Sequence, residues 1–192
     1  MFKTKNGLPH NSVRGVVRLW IEENADYLGN DVLEIGSRMH DPNAWWINNR
    51  DLAQGKWTGM DMQSGQNVDV VANVYDMPQE WTNRFSGVLC CEVLEHMEYP
   101  WAALTHMYRI LQPEGLIVIT VPWCFPKHDF PNDYFRYSTD GLHALLQFAG
   151  FAQITTATSM PMVQFDLNGF GKPHSYRGIE PTHSYAIARK PP

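Results

Sequence analysis

The stretch DVLEIGSRMH at residues 31–40 constrains the fold more than any other part of the chain. Val32, Leu33 and Ile35 make an apolar run broken only by Glu34, and Gly36 closes it. That is the pattern of a short strand buried on both faces, as in a parallel sheet, running into a tight turn. Glycine at the turn permits backbone angles closed to other residues, or close approach of a ligand to the main chain. Open α/β sheets bind ligands in the crevice at the C-terminal edge of their strands. Glu34, two residues before the glycine, is expected to face that crevice.

The rest of the chain alternates in the same way. Val13, Val16, Val17, Trp20, Ile21 and Leu28 recur at helical spacing between a Ser12 cap and a Gly29 stop, so residues 1–30 supply a covering helix. Asp41-Pro42 opens a second helical stretch that carries Trp45, Trp46 and Ile47. Strands are predicted at 56–60, 68–72, 86–91, 116–121, 151–158 and 184–188, with helices at 100–111 and from the Ser138 cap to Gly150. The run at 116–121 is β-branched and uncharged, which places it at the sheet centre. Strands alternating with helices give an α/β, doubly wound, mostly parallel sheet. With 192 residues the chain is long enough for one buried core and too short for two ordinary ones, so 1–192 reads as a single domain. Residues 122–137, aromatic and interrupted by proline, suit a substrate lid, and 160–182 reads as a second substrate-side loop.

A net charge of −5 without any basic run argues against nucleic acid or an acidic membrane surface as partner and favours a small, weakly charged substrate. The longest apolar runs fall far short of the roughly 20 residues of a membrane span. The start, MFKTKNGLPH, has no apolar signal core. Three cysteines, two of them adjacent at Cys90 and Cys91, make neither a disulfide framework nor a metal-ligand spacing, which points to a reducing, cytoplasmic setting. Eight histidines show no HxxxH or HxH spacing, so no metal site is expected. Asp61 ends the second strand 25 positions after Gly36, where nucleotide-binding α/β folds accept both hydroxyls of a ribose.

Five segments carry a resemblance: VLEIG at 32–36, GMD at 59–61, VLCCEVLEH at 88–96, LQPEGLIVITVP at 111–122 and YFRYSTDGLHALLQFAGF at 134–151. In order and spacing they resemble the class I S-adenosylmethionine-dependent methyltransferases, in particular the type 11 methyltransferase-domain group, over about residues 30–152. The resemblance implies a Rossmann-like, seven-stranded, mostly parallel sheet with a C-terminal antiparallel strand, and S-adenosyl-L-methionine as cofactor. It implies that Glu34 and Gly36 lie at the methionine end, that Asp61 binds the ribose hydroxyls and that Met62 flanks the adenine. Asn73, or Asp76, stands where the family uses an acidic residue against the adenine amino group. Cys91 and Glu92, with His96 behind them, would line the methionine and methyl end. Arg38 and His40 replace two glycines of the family's loop and are expected to narrow the pocket.

Methyl transfer from a sulfonium is an in-line displacement that depends on positioning, and an oxygen nucleophile needs a base as well, worth about 10² to 10⁴ in rate. The candidates are His128, Asp129 and Asp133 in the 122–137 loop and His96 after the fourth strand. His128 leads, because histidine titrates near neutral pH. Trp123 is a candidate for stacking on substrate, and Tyr134 and Arg136 for contacting it. The plainer alternatives are that Arg136 pins the loop, that His128 ties it down and that His96 only orients. The expected function is methyl transfer to a small-molecule acceptor, such as a sugar or metabolite hydroxyl. A catalytically silent, cofactor-binding scaffold is the alternative. A nicotinamide dehydrogenase fits less well, since no GxGxxG follows the first strand. Neither the acceptor nor the oligomeric state is written in a readable motif.

Overall fold

The computed structural model describes residues 13–39, 48–128, 132–159, 161–166 and 177–192. The run after Gly29 forms β1 (Asp31–Ile35), which pairs in parallel with β2 (Lys56–Asp61) on one side and β4 (Phe85–Cys91) on the other. A two-residue β3 (Val70–Val71) extends β2, and β5 (Leu111–Pro122) continues from β4, both in parallel. The last strand, β9 (His183–Arg189), inserts antiparallel between β5 and β6 (Ala152–Thr158). The sheet order is therefore β3-β2-β1-β4-β5-β9-β6, seven strands and mostly parallel, as expected.

Side chains alternate across the strands, so each strand feeds two cores. Leu33, Ile35, Val88, Cys90, Ile117 and Ile119 face α2 (Pro100–Ile110) and α3 (Thr139–Phe148). Val32, Leu89, Val118 and Tyr185 face α1 (Val13–Asn24), whose Trp20 stacks on Tyr185 at 4.9 Å. Burial on both faces is what makes these strands apolar throughout. Pro100 opens α2, and the Ser138 hydroxyl caps α3 by accepting the Gly141 N–H at 3.1 Å.

Several boundaries differ from expectation. The central strand is β4, and β5 lies one place over, still flanked on both sides. β5 starts at Leu111, because Leu111 pairs with Phe85 across a bulge that Glu114 accommodates at φ +67; Gln112-Pro113 is thus inside a strand rather than a stop. The 160–182 loop contains an antiparallel pair, β7 (Pro161–Asp166) with β8 (Arg177–Pro181). The helix expected from Asp41-Pro42 lies outside the described residues apart from a 3-10 turn, Asn49–Leu52. No helix among the described residues is long and apolar enough to cross a membrane. The parallel strands bring Gly36, Asp61, Glu92 and Trp123 to one C-terminal edge.

Candidate active site

At the β1–β2 end the backbone is drawn tight. The N–H groups of Gly36 and Ser37 both donate to the Met60 carbonyl, at 2.8 and 3.1 Å. Gly36 has φ +73, and a Cβ there would come within 2.3 Å of Val93 Cγ2, so only glycine fits this turn. Glu34 is buried, and both its oxygens are engaged: Oε1 accepts from Asn49 Nδ2 at 2.7 Å and Oε2 from Trp57 Nε1 at 2.9 Å. Burial raises its pKa, and those two donors pull it partly back. Asp61 is half-buried at the tip of β2, its Oδ1 accepting the Gln63 N–H at 2.9 Å. Met62 and Val71 beside it are 60% and 58% exposed. Asn73 is exposed and caps the next turn by accepting the Tyr75 N–H. Arg38 donates to Gln63 Oε1 at 2.7 Å and packs over Gly65.

At the β4 end the carboxylates are less satisfied. Glu92 adopts φ +53 and donates its N–H to the Thr120 carbonyl. Its Oε2 meets His183 Nε2 at 2.8 Å, while the buried Oε1 has no partner. Three residues on, in the 3-10 turn Leu94–His96, Glu95 is fully buried and neither of its oxygens has a hydrogen-bond partner. Burial, reinforced by neighbouring Glu92, pushes its pKa up to about 9. Around it stand two imidazoles: His96 Nε2 lies 3.6 Å and His128 Nε2 3.9 Å from Glu95 Oε1. The two rings meet edge to face at 5.0 Å. His128 comes from the 122–137 loop, which docks on this turn through the N–H groups of Tyr134 and Phe135 to the Glu95 carbonyl. The loop is also held by the Tyr137 hydroxyl, which donates to the Leu94 carbonyl at 3.0 Å.

A family model described as a methyltransferase domain matches residues 50–119. No curated protein sequence matches the chain. Of the solved structures, a SAM-dependent methyltransferase from Archaeoglobus fulgidus aligns with a TM-score of 0.66 at 15% identity, over 93% of this chain and 95% of that one. The chain has the fold of these class I S-adenosylmethionine-dependent methyltransferases. Two of the solved neighbours hold S-adenosylhomocysteine or S-adenosyl-L-methionine. A Burkholderia thailandensis 1,6-didemethyltoxoflavin-N1-methyltransferase, with 1,6-didemethyltoxoflavin and S-adenosylhomocysteine bound, aligns at a TM-score of 0.63 and 16% identity, over 94% of this chain and 80% of that one. The methyltransferase bound to the Haloferax volcanii Trm112 activator aligns at 0.56 and 14%, over 91% and 93%. At these identities the structural likeness is one of fold.

At this strand edge the expected site residues separate into two groups. Gly36, Asp61, Met62, Asn73, Cys91 and Glu92 do share the strand edge. Glu34 is a correction: Asn49 and Trp57 take both its oxygens, so its carboxylate braces β1 against β2 and the Asn49 turn instead of facing the crevice. Cys91 accepts the Thr120 hydroxyl at 3.2 Å, and burial first, then Glu92, push its thiol pKa well up, so it stays protonated.

On the loop, Asp133 is another correction. Arg136 clamps both its oxygens, and that guanidinium holds its carboxyl far below the carboxylate range, which leaves it a poor base. Arg136 also donates to the carbonyls of Phe125, Pro126 and Phe135, so it pins the loop. Tyr134 is 43% exposed, with its hydroxyl accepting from Asn132. Trp123 helps line an apolar cavity of about 650 Å³ with Trp101, Leu145 and Phe148. Arg38 is turned onto Gln63, while His40 and Asp129 lie outside the described residues. Sequence reasoning missed Glu95 and His183. Glu95 had a signal, a Glu-His pair immediately past the C-terminal end of a buried strand; His183 had none, since it reaches Glu92 only through the antiparallel insertion of β9.

Proposed function

We propose that the chain methylates a hydroxyl group of a small-molecule acceptor, a sugar or related metabolite. S-adenosylmethionine supplies an electrophilic methyl group on a sulfonium. The residues present suit that cofactor. Asp61 offers a carboxylate to the ribose hydroxyls, the exposed apolar side chains of Met62 and Val71 offer faces for the adenine, and Asn73 stands close by on the next strand's exit. Gly36 lets the methionine end come close to the backbone. The Glu92 Oε1, a buried acceptor with no donor of its own, suits an ammonium group.

The observation that carries the hydroxyl reading is the convergence of His96 and His128 on Glu95 at the tip of β4. An amine with a free electron pair needs no proton-accepting centre, whereas a hydroxyl must lose its proton as it attacks. His128 Nδ1 faces Asp133 Oδ2 and the Pro126 carbonyl, both at 3.4 Å. Those acceptors favour the hydrogen on Nδ1 and leave the Nε2 pair free to take the acceptor's proton. Trp123 offers a wall for a ring, and the exposed Tyr134 stands at the rim.

The test begins with thermal unfolding in excess S-adenosylmethionine, S-adenosylhomocysteine or NAD. At about 100 times the dissociation constant the first two are expected to add roughly 2.7 kcal/mol, on the order of 5 to 10 °C, and NAD nothing. Asp61→Ala should weaken S-adenosylmethionine binding about 10- to 100-fold, the loss of charge-assisted hydrogen bonds. S-adenosylhomocysteine formation is then followed across a panel of sugars and hydroxylated metabolites. A cofactor shift with no product from any hydroxyl acceptor overturns the reading, and a stable protein partner recovered alongside it favours the scaffold alternative.

A further inference from the structure

We propose that Glu95, His96 and His128 form a binding site for a divalent first-row transition-metal ion. One ligand atom from each of the three lies within 4.8 Å of the others. Two imidazole nitrogens and one carboxylate oxygen suit zinc, manganese, iron or cobalt; the oxygen-only sites of magnesium and calcium are built differently.

Three observations support this, and none depends on titration. First, Glu95 is completely buried with both oxygens unpartnered. A buried carboxylate without donors is costly, and a cation among its neighbours removes that cost. Second, the far nitrogen of each histidine is already engaged. His96 Nδ1 lies 2.5 Å from the Asn132 carbonyl, and His128 Nδ1 faces Pro126 and Asp133. Metal-ligating histidines are oriented in this way, with the outer ring N–H on a carbonyl or carboxylate and the inner nitrogen's pair directed at the ion. Third, the spacing fits. Ligands about 2.1 Å from an ion stand roughly 3.4 Å apart at tetrahedral angles, against 3.6 and 3.9 Å from Glu95 Oε1 to the two Nε2 atoms. Side-chain rotation that closes these two separations by a few tenths of an ångström, and brings the three ligand atoms in from within 4.8 Å of one another, completes the set.

The local charges agree. Within the loop, the Arg136 guanidinium is spent on Asp133 and three carbonyls. Because His96 belongs to the β4 exit turn and His128 to the loop, an ion here would cross-link the lid to the sheet edge. Three protein ligands leave at least one position open. The catalytic consequence alone rests on the hydroxyl reading above. An acceptor oxygen bound at the open position would lose its proton to water as the oxygen–metal bond strengthens, with no change of oxidation state, so the loaded site would not need the free electron pair of His128.

The test is binding, measured without cofactor or acceptor. The full-length protein is stripped with EDTA, dialysed and titrated with Zn²⁺, Mn²⁺ or Mg²⁺ in a calorimeter, and its thermal unfolding is followed in parallel. One Zn²⁺ per chain and a raised unfolding temperature are expected, with little response to Mg²⁺. Glu95→Gln and His128→Ala should each weaken Zn²⁺ binding by about 100-fold or more, beyond the 10- to 100-fold typical of outer-sphere changes. His143→Ala, an exposed histidine on α3, should leave it unchanged. Circular dichroism confirms that the variants fold. No binding to the wild type overturns the proposal, as does binding that survives the Glu95→Gln, His128→Ala double variant. Stoichiometric binding that leaves methyl transfer unaltered supports the site and removes only its catalytic consequence.

Discussion

Two buried glutamates stand at the C-terminal ends of adjacent strands and are treated in opposite ways. Glu34 in β1 has both oxygens on side-chain donors, Asn49 and Trp57. Glu95, just past β4, is buried at least as deeply and has no donor on either oxygen. Burial raises the pKa of both, but only Glu34 has side-chain donors that pull it back. A saturated buried carboxylate belongs to the frame; an unsaturated one stays costly until something binds it. The two halves of the strand edge follow the same division. On the β1–β2 side the backbone closes on itself through Gly36, Ser37 and Met60, whereas on the β4 side a pinned loop surrounds a polar centre whose demands the protein leaves unmet.

The largest effect expected from this contrast falls on Glu95. Glu95→Gln should lower the rate of methyl transfer by about 10² to 10⁴, the usual worth of a proton-handling centre. The unfolding temperature should stay level, because Glu95, its pKa pushed up to about 9 by burial, is already neutral near pH 7 and the amide replaces one uncharged buried group with another. Initial rates of S-adenosylhomocysteine formation and a melting curve check both halves. A fall of several degrees with normal turnover would mean that Glu95 is a structural brace like Glu34, and the contrast would collapse.

Glu34 should give the reverse result at smaller size. In Glu34→Gln one donor, Asn49 Nδ2 or Trp57 Nε1, would face an amide N–H in place of an acceptor. The expected loss is about 1 to 3 kcal/mol of stability, roughly 2 to 10 °C in melting temperature. Affinity for S-adenosylmethionine, measured by calorimetry, should stay within a few-fold of wild type. Unchanged stability with lost affinity would return Glu34 to the crevice, where its place in VLEIG first suggested it belonged.

That misplacement shows where the sequence was legible. Strands buried on both faces announce themselves as apolar runs, which is why β1, β2 and β4 lie within a residue or so of their expected bounds. β7 and β8 sit in a stretch whose Gly and Pro content argues for a loop, and their pairing with each other is a non-local fact. Backbone-defined site positions were legible for the same reason: Gly36 and Asp61 follow from where a strand ends. Side-chain direction was not. Glu34 turns to Trp57 because β1 and β2 pair in that register, and Arg136 turns into its own loop because five acceptors there match its fork. The histidine spacing hid the metal-type cluster, since its ligands come from a turn and from a loop 32 residues further on.

The weakest effect belongs to a third carboxylate, Asp69, which tests whether partners alone or partners with burial make a brace. Its Oδ2 accepts the Gly59 N–H at 2.7 Å and Arg50 Nη2 at 2.5 Å, yet its side chain is 43% exposed. The Arg50 bond first, and the Gly59 N–H with it, hold its carboxyl below the usual 3.8. A carboxyl depressed on folding contributes stability that is fully present above its unfolded value, near pH 4, and is lost as pH falls through the lower folded value. Asp69→Asn keeps an acceptor for Gly59 but removes the charge facing Arg50. Solvent screening limits the cost to less than about 1 kcal/mol at pH 7. In urea unfolding, the gap between variant and wild type should shrink at pH 3 and also in 1 M salt, where the screening length falls to about 3 Å. If instead Asp69→Asn costs more than Glu34→Gln, then partner count outweighs burial at this edge, and the orphaned oxygens of Glu95 would have to be explained by something other than their depth.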